Sequence, residues 1–259
     1  MPKLAANLSM MFNEVPFLDR FDAAAKAGFT AVEFLFPYDF PAAELKSRLQ
    51  ANGLTQALFN MPPGDWANGE RGLASLPGRQ QEFRDSVKKA LEYAEILDCK
   101  LIHCMAGIPP AGTNPVTSAA LYASNLAWAG EEAKKAGRRL ALEPINHRDM
   151  PGFHLNTVEQ GAAVVDAIGI DKVGLQFDIY HCQITQGDVT KRMEALIGRI
   201  VHMQIADVPA RNEPGTGEIG WDFVLRRIDE LGYQGWVGCE YRPAGETVAG
   251  LAWRSRFGV

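Results

Sequence analysis

The stretch RLALEPIN, residues 139–146, gives two instructions in eight residues. Leu140, Ala141 and Leu142 make an apolar run of the kind buried in a parallel sheet. Pro144 then closes the strand, because it has no amide to add to a ladder. Between them stands Glu143, a carboxylate at the tip of a buried strand, which is costly unless something there needs a negative charge. VGLQFDIY (173–180), IVHMQIAD (200–207) and WVGCEYRP (236–243) repeat the pattern, an apolar run ended by a polar residue. Toward the N-terminus, KLAANLSM (3–10), AVEFLFP (31–37), LTQALFN (54–60) and KLIHCMAG (100–107) complete eight strand candidates.

Between the strands lie FLDRFDAAAKAGF, EFRDSVKKALEYAEILD and WDFVLRRIDELGY, with apolar residues at the three- and four-residue spacing of amphipathic helices. Several end on glycine just before the next strand, as in KAGRRL and ELGY, which suits a left-handed helix cap. Eight strand-then-helix units without a change of composition predict an α/β fold, a (β/α)8 TIM barrel occupying residues 1–259 as one domain. An open doubly wound sheet is the rival, and it would leave two strands as extras. One connection, MPPGDWANGERGLASLPGR (61–79), far exceeds the usual few residues and reads as a lid or binding loop.

The charge balance narrows the partners. A net charge of -5 argues against a nucleic-acid surface, where a basic stripe is expected. Small anionic substrates remain open, because a local arginine overrides the global sign. Cys99, Cys104, Cys182 and Cys239 form no C-x-x-C pair and read as the reduced thiols of a cytoplasmic protein. The sequence shows neither a signal-peptide pattern nor an apolar run near the roughly 20 residues that span a bilayer, so no membrane partner is expected.

In a barrel the chemistry sits at the C-terminal ends of the strands. In the second half of the chain those ends carry Glu143, Asp178, Gln204 and Glu240. Their separations of 35, 26 and 36 residues are each about one strand–helix unit, so four consecutive strands would present them around one mouth. Three carboxylates converging with an amide oxygen would repel one another unless a cation lay between them. Oxygen donors without cysteine or histidine imply a hard divalent ion, Mg²⁺ or Mn²⁺ rather than structural Zn²⁺.

Nearly the whole chain resembles the hydroxypyruvate isomerase group of the xylose-isomerase-like barrels, close to the 2-oxo-tetronate isomerases. The resemblance is carried in order by ANLSMMF, VEFLFPYD, PPGDWANGERG, LPGR, EPINHRDMPGFHL, QFDIYHCQ, HMQIAD, EPGTGEI and GWVGCEY. It implies that Glu143, Asp178, Gln204 and Glu240 hold a divalent metal, and that Glu143 and Glu240 share the roles of proton donor and acceptor, in an order the sequence leaves open. It implies conversion of hydroxypyruvate to tartronate semialdehyde (2-hydroxy-3-oxopropanoate), a carbonyl shift through an enediolate. Related sugar epimerases place a histidine where Gln204 stands. Related barrels often pair, so a homo-oligomer is expected by analogy.

The substrate side of the expected site rests on fewer signals. His181, three residues after Asp178, is the expected hydrogen-bonding partner of a substrate oxygen, as the resembling isomerases and epimerases suggest. A substrate carboxylate needs a cation, and Arg211 and Arg71 are the candidates at the correct end, through bidentate geometry. Trp66 in the long loop would close over the substrate, and Glu33 near the second strand's end is a further pocket candidate. His147 and His154 follow Glu143 and have weaker claims, while His103 and His202 sit inside apolar strands and are expected to satisfy internal hydrogen bonds.

Other classes fit less well. GTGEIG (215–220) matches G-x-G-x-x-G, but Pro209 and Pro214 separate it from the preceding strand, so the strand–turn–helix of a dinucleotide site is missing. A Schiff-base aldolase needs a buried lysine at a strand tip, whereas Lys3, Lys100 and Lys172 fall at strand starts. A barrel endonuclease wants several histidine ligands and a basic face. A non-enzymatic sugar-acid sensor has no need of paired glutamates around a metal. A 2-oxo-tetronate isomerase or a ketose 3-epimerase would share the chemistry and differ in substrate.

Overall fold

The computed structural model describes residues 2–259. Each apolar run becomes a strand: β1 (Lys3–Asn7), β2 (Ala31–Phe34), β3 (Thr55–Asn60), β4 (Leu101–His103), β5 (Arg139–Leu142), β6 (Val173–Asp178), β7 (Ile200–Ile205) and β8 (Trp236–Cys239). Among the described residues these close in sequence order into a barrel, with β1 pairing parallel to both β2 and β8. The open-sheet rival is thereby excluded. Several strands stop sooner than their apolar runs, because the polar tip residues leave the ladder for the barrel mouth. Glu143 and Glu240 each lie one residue past the last residue of their strands.

Local chemistry sets the helices between them. Asn114 caps Pro115–Lys135, its side chain accepting the amides of Val116 and Thr117, with proline at the first helical position where no amide is missed. Thr157 and Gln160 form a capping box at the head of Val158–Ile168. Gly137 and Gly232 end their helices with positive φ, 67° and 70°, as the sequence predicts. Aliphatic and aromatic side chains, Phe21, Phe34, Phe59, Phe83 and Phe177 among them, fill the main core.

The barrel interior differs from that core. Asn7 and Glu33 face inward, so Ala5 and Ala31, two residues before them on the same faces, face inward too. These alanines pack with Ala57 against Trp236 in a small separate cluster. Above it lies a polar layer: Asn7, Glu33, Gln176, His202 and Gln204, all buried. A Cβ at Gly238 would run into the Glu33 carboxylate, so glycine there makes room for a buried acid. No described helix is long and apolar enough to cross a membrane.

Candidate active site

Three of the four strand tips converge, and a histidine joins them. Ligand atoms of Glu143, Asp178, His181 and Glu240 all lie within 4.8 Å of one another, and all four residues are buried. Asp178 also caps the helix Ile179–Thr185, so its Oδ1 accepts the Tyr180 amide at 2.8 Å. That fixes the carboxylate and leaves Oδ2 without a hydrogen-bond partner, as is Glu143 Oε1. Two buried, unpartnered carboxylate oxygens in one cluster fit a hard divalent cation, which could be held by Glu143, Asp178 and Glu240.

Gln204, the expected fourth oxygen donor, is bonded elsewhere. Its Oε1 accepts Gln176 Nε2 at 2.6 Å and its Nε2 donates to Glu33 Oε1 at 2.8 Å. Both ends of the amide thus hydrogen-bond within the polar layer, the oxygen through one of its two lone pairs. Glu33, expected on the pocket wall, is fully buried in the same layer. It accepts Asn7 Nδ2 at 3.0 Å and faces His202 Nε2 at 2.6 Å. Asn7 also donates to Glu240 Oε1 at 3.4 Å, and so links that layer to the rim.

Arg211 enters the cluster from the loop after β7. Its Nη2 donates to Glu240 Oε2 at 2.6 Å and lies 3.6 Å from Asp178 Oδ2. The guanidinium stacks 4.8 Å from the Tyr180 ring centroid, and Nη1 is 3.6 Å from Asp149. Its backbone is left-handed, φ 59°, an uncommon conformation for a residue with a side chain. Asp207 imposes it: the buried carboxylate accepts the amides of Val208, Gly215, Gly217 and Ile219, and its carbonyl accepts the Arg211 amide. The glycines of GTGEIG thus cradle a protein carboxylate rather than a phosphate, and a Cβ at Gly217 would strike the Val208 carbonyl.

Burial sets the protonation of the group. It pushes Glu143 well above the usual carboxylate range, with Glu240 and Asp178 adding repulsion. It raises Glu240 and Asp178 too, against the pull of the Arg211 guanidinium. Burial and then Arg211 hold the His181 imidazole well below its ordinary value. His181 Nδ1 faces the Asn146 backbone amide at 3.4 Å and the Asn146 Nδ2 at 2.5 Å, and the Asp149 amide fixes that side chain by donating to Asn146 Oδ1. With donors facing Nδ1, that nitrogen is the acceptor, while Nε2 is met by Arg211 Nη2 at 3.4 Å, Asp178 at 3.5 Å and Glu143 at 3.7 Å.

A cavity of about 520 Å³ opens over the cluster, its walls including Glu143, His181, Arg211 and Glu240. Trp66 and Arg71 of the long loop line it as expected, the guanidinium 3.9 Å from the indole centroid. Arg71 Nη1 donates to the Trp66 and Glu70 carbonyls, and Phe36 packs edge-on against Trp66. Arg148, Arg242, Asn60 and His103 also line the cavity; Asn60 and His103 end β3 and β4, outside the second half of the chain that the strand-tip reading covers. His147 and His154 are not among its walls; His154 packs against Tyr122. His202 is bonded internally as expected, but His103 is not: Nδ1 faces Glu143 Oε2 at 3.5 Å and Nε2 has no partner. Burial, with His202 nearby, holds its imidazole down at about 3.

A closed parallel barrel with buried carboxylates at its C-terminal mouth defines a class, and the chain belongs to the xylose isomerase-like TIM barrel family, whose profile matches residues 21–256. Its relatives extend over essentially the whole chain. It is 54% identical to a 2-oxo-tetronate isomerase of Cupriavidus necator, across 98% of this chain and 97% of that one. It is 47% identical to the hydroxypyruvate isomerase of Escherichia coli, across 99% of this chain and all of that one. A crystal structure described as an AP endonuclease of family 2 from Brucella melitensis superposes with a TM-score of 0.96 at 47% identity, covering 99% of each chain.

Proposed function

We propose that this protein is an isomerase of short 2-oxo hydroxy acids, moving a carbonyl to the adjacent carbon through an enediolate, with hydroxypyruvate and 2-hydroxy-3-oxopropanoate as the pair interconverted. The observation that carries the reading is the pair of buried glutamates, Glu143 and Glu240, brought with Asp178 into one cluster beneath an open cavity. The reaction must take a proton from a weakly acidic carbon and return one to its neighbour, which requires a base and an acid on the substrate. Burial pushes both carboxyls above the usual carboxylate range, the direction that favours their carrying a proton. A divalent cation, Mg²⁺ or Mn²⁺, held by Glu143, Asp178 and Glu240 would supply Lewis-acid stabilisation of the charge developing on the substrate oxygens.

The remaining residues bind and orient. His181 hydrogen-bonds a substrate oxygen. Arg211 and Arg71 are the cations for the carboxylate, and Trp66, packed between Phe36 and Arg71, excludes water. A four-carbon substrate is the second reading, favoured by the 54% identity to a 2-oxo-tetronate isomerase and by a cavity roomier than a three-carbon acid needs. An endonuclease role is disfavoured by the net charge of -5 and by a cluster with a single histidine.

The test is isomerisation of hydroxypyruvate and 2-oxo-tetronate side by side, with added Mg²⁺ or Mn²⁺. Wild type is expected to turn over at least one, and Glu143→Gln and Glu240→Gln to lose roughly 10²-fold or more while keeping the wild-type circular dichroism. Activity retained in either variant rejects the two-glutamate mechanism.

A further inference from the structure

Arg71 lines the cavity with part of its guanidinium already committed. One face stacks on Trp66, 3.9 Å from the ring centroid, and Nη1 donates to the Glu70 and Trp66 carbonyls at 2.7 and 3.1 Å. Those contacts leave Nε and Nη2 without a partner among the described residues. That edge of the fork is one that meets a carboxylate through two parallel hydrogen bonds. Its usefulness depends on where the loop holds it.

Beyond Arg71 the loop is pinned to its surroundings. The Gly72 amide donates to the Pro63 carbonyl at 2.8 Å, and the Ser75 amide to the Ala106 carbonyl at 2.9 Å. Before Arg71 the tip is open to solvent, with Asp65, Ala67, Asn68 and Gly69 exposed. The polar tie between that tip and the scaffold runs through Glu70. Its Oε2 turns back to accept the Asp65 amide at 2.6 Å, so residues 65–70 close on themselves. The same carboxylate takes two bonds from Arg79, Nη1 to Oε1 at 2.7 Å and Nη2 to Oε2 at 3.3 Å. Arg79 is anchored in turn at the head of the helix Gln80–Leu97, where its Nε and Nη2 each donate to Glu82 at 2.6 Å. Gly64, with φ 82°, makes room for the arrangement, because a Cβ there would run into the Glu70 carboxylate.

We propose that Glu70, braced by Arg79, is a positioning residue for substrate recognition: it locks the loop tip so that the free edge of Arg71 stays aimed at the substrate carboxylate. The role rests on the isomerase reading above, which supplies that carboxylate. Neither Glu70 nor Arg79 lines the cavity, so both act through Arg71 and Trp66. The Arg79 and Glu70 side chains are 34% and 24% exposed, and a pair that open to solvent adds little to stability. What it fixes is place. Without it the substrate must order the tip as it binds, which weakens binding and leaves the chemistry at Glu143 and Glu240 alone.

The experiment is a double-mutant cycle in steady-state kinetics, with added Mn²⁺, on whichever of hydroxypyruvate and 2-oxo-tetronate the wild type turns over. Glu70→Ala is expected to raise KM about tenfold and to keep kcat within about threefold of wild type. In an Arg71→Ala background the same change is expected to move KM by less than about twofold, because the group that Glu70 positions is gone. Equal factors in the two backgrounds overturn the proposal. So does a KM within about twofold of wild type in Glu70→Ala, or a fall in kcat as large as the rise in KM. If circular dichroism shows that Glu70→Ala does not fold, Arg79→Ala, which leaves the Glu70 bond to Asp65 in place, is read by the same criteria. A wild type that turns over neither acid removes the isomerase reading and this role together, whereas an additive cycle in an active enzyme removes this role alone.

Discussion

Arg211 governs the electrostatics of the rim, because its guanidinium reaches Glu240, Asp178 and His181 from one side. Even so, burial outweighs it, and the acids of the cluster are raised rather than lowered. Raised carboxyls must shed protons before they can ligate a cation, so cation binding releases protons and apparent affinity climbs as pH rises. Isothermal titration of Mn²⁺ should give tighter binding at pH 8 than at pH 6, with proton release visible in buffers of different ionisation enthalpy. Affinity that is flat across that range, or falls, contradicts the assignment. At this scale the sequence shows the acids but not their surroundings. Glu143, Asp178 and Glu240 interrupt apolar runs, which is visible in one dimension. Gln204 interrupts one too, yet Gln176, two residues before Asp178, donates to its oxygen, and that depends on a neighbouring strand's register.

At the scale of elements, the loop from 208 to 220 shows how backbone chemistry delivers a side chain. Four amides converge on the buried Asp207 carboxylate, and the turn they close presents Arg211 to the rim. Asp207→Ala should therefore destabilise the fold by roughly 2–3 kcal/mol, as for other buried hydrogen bonds to a charged group, and should raise KM more than it lowers kcat. Urea unfolding and steady-state kinetics check both parts; unchanged stability, or a loss confined to kcat, would show that the loop is held by something else. GTGEIG carries a real signal in the sequence, a set of exposed amides near an acid, but the identity of the acid is a matter of three-dimensional closure. The long segment 61–79 is the opposite case. Its length alone marks it as a binding loop, and Trp66 and Arg71 line the cavity.

For the whole molecule, eight apolar runs at regular spacing leave few ways to fold, because a parallel strand needs a crossover and a right-handed crossover covers the sheet with helices. Closure follows once β1 finds β8, and closure turns three strand ends into one cluster. The barrel was legible for that reason. Its polar interior was less so: Glu33 and His202 look like a stray pocket acid and a core histidine until Gly238 is seen to vacate the space between strands. His103 was misread on the same ground, since an apolar strand says nothing about which nitrogen finds a partner.

The most direct measurement is a titration of the metal-free protein with Mn²⁺, followed by electron paramagnetic resonance of the free ion. One tightly held Mn²⁺ per chain is predicted, lost or weakened by about 10²-fold in Asp178→Asn, a variant that keeps the helix cap but removes a ligand charge. No tight site in the wild type, or binding undiminished in Asp178→Asn, would contradict the claim that these strand tips grip a single cation.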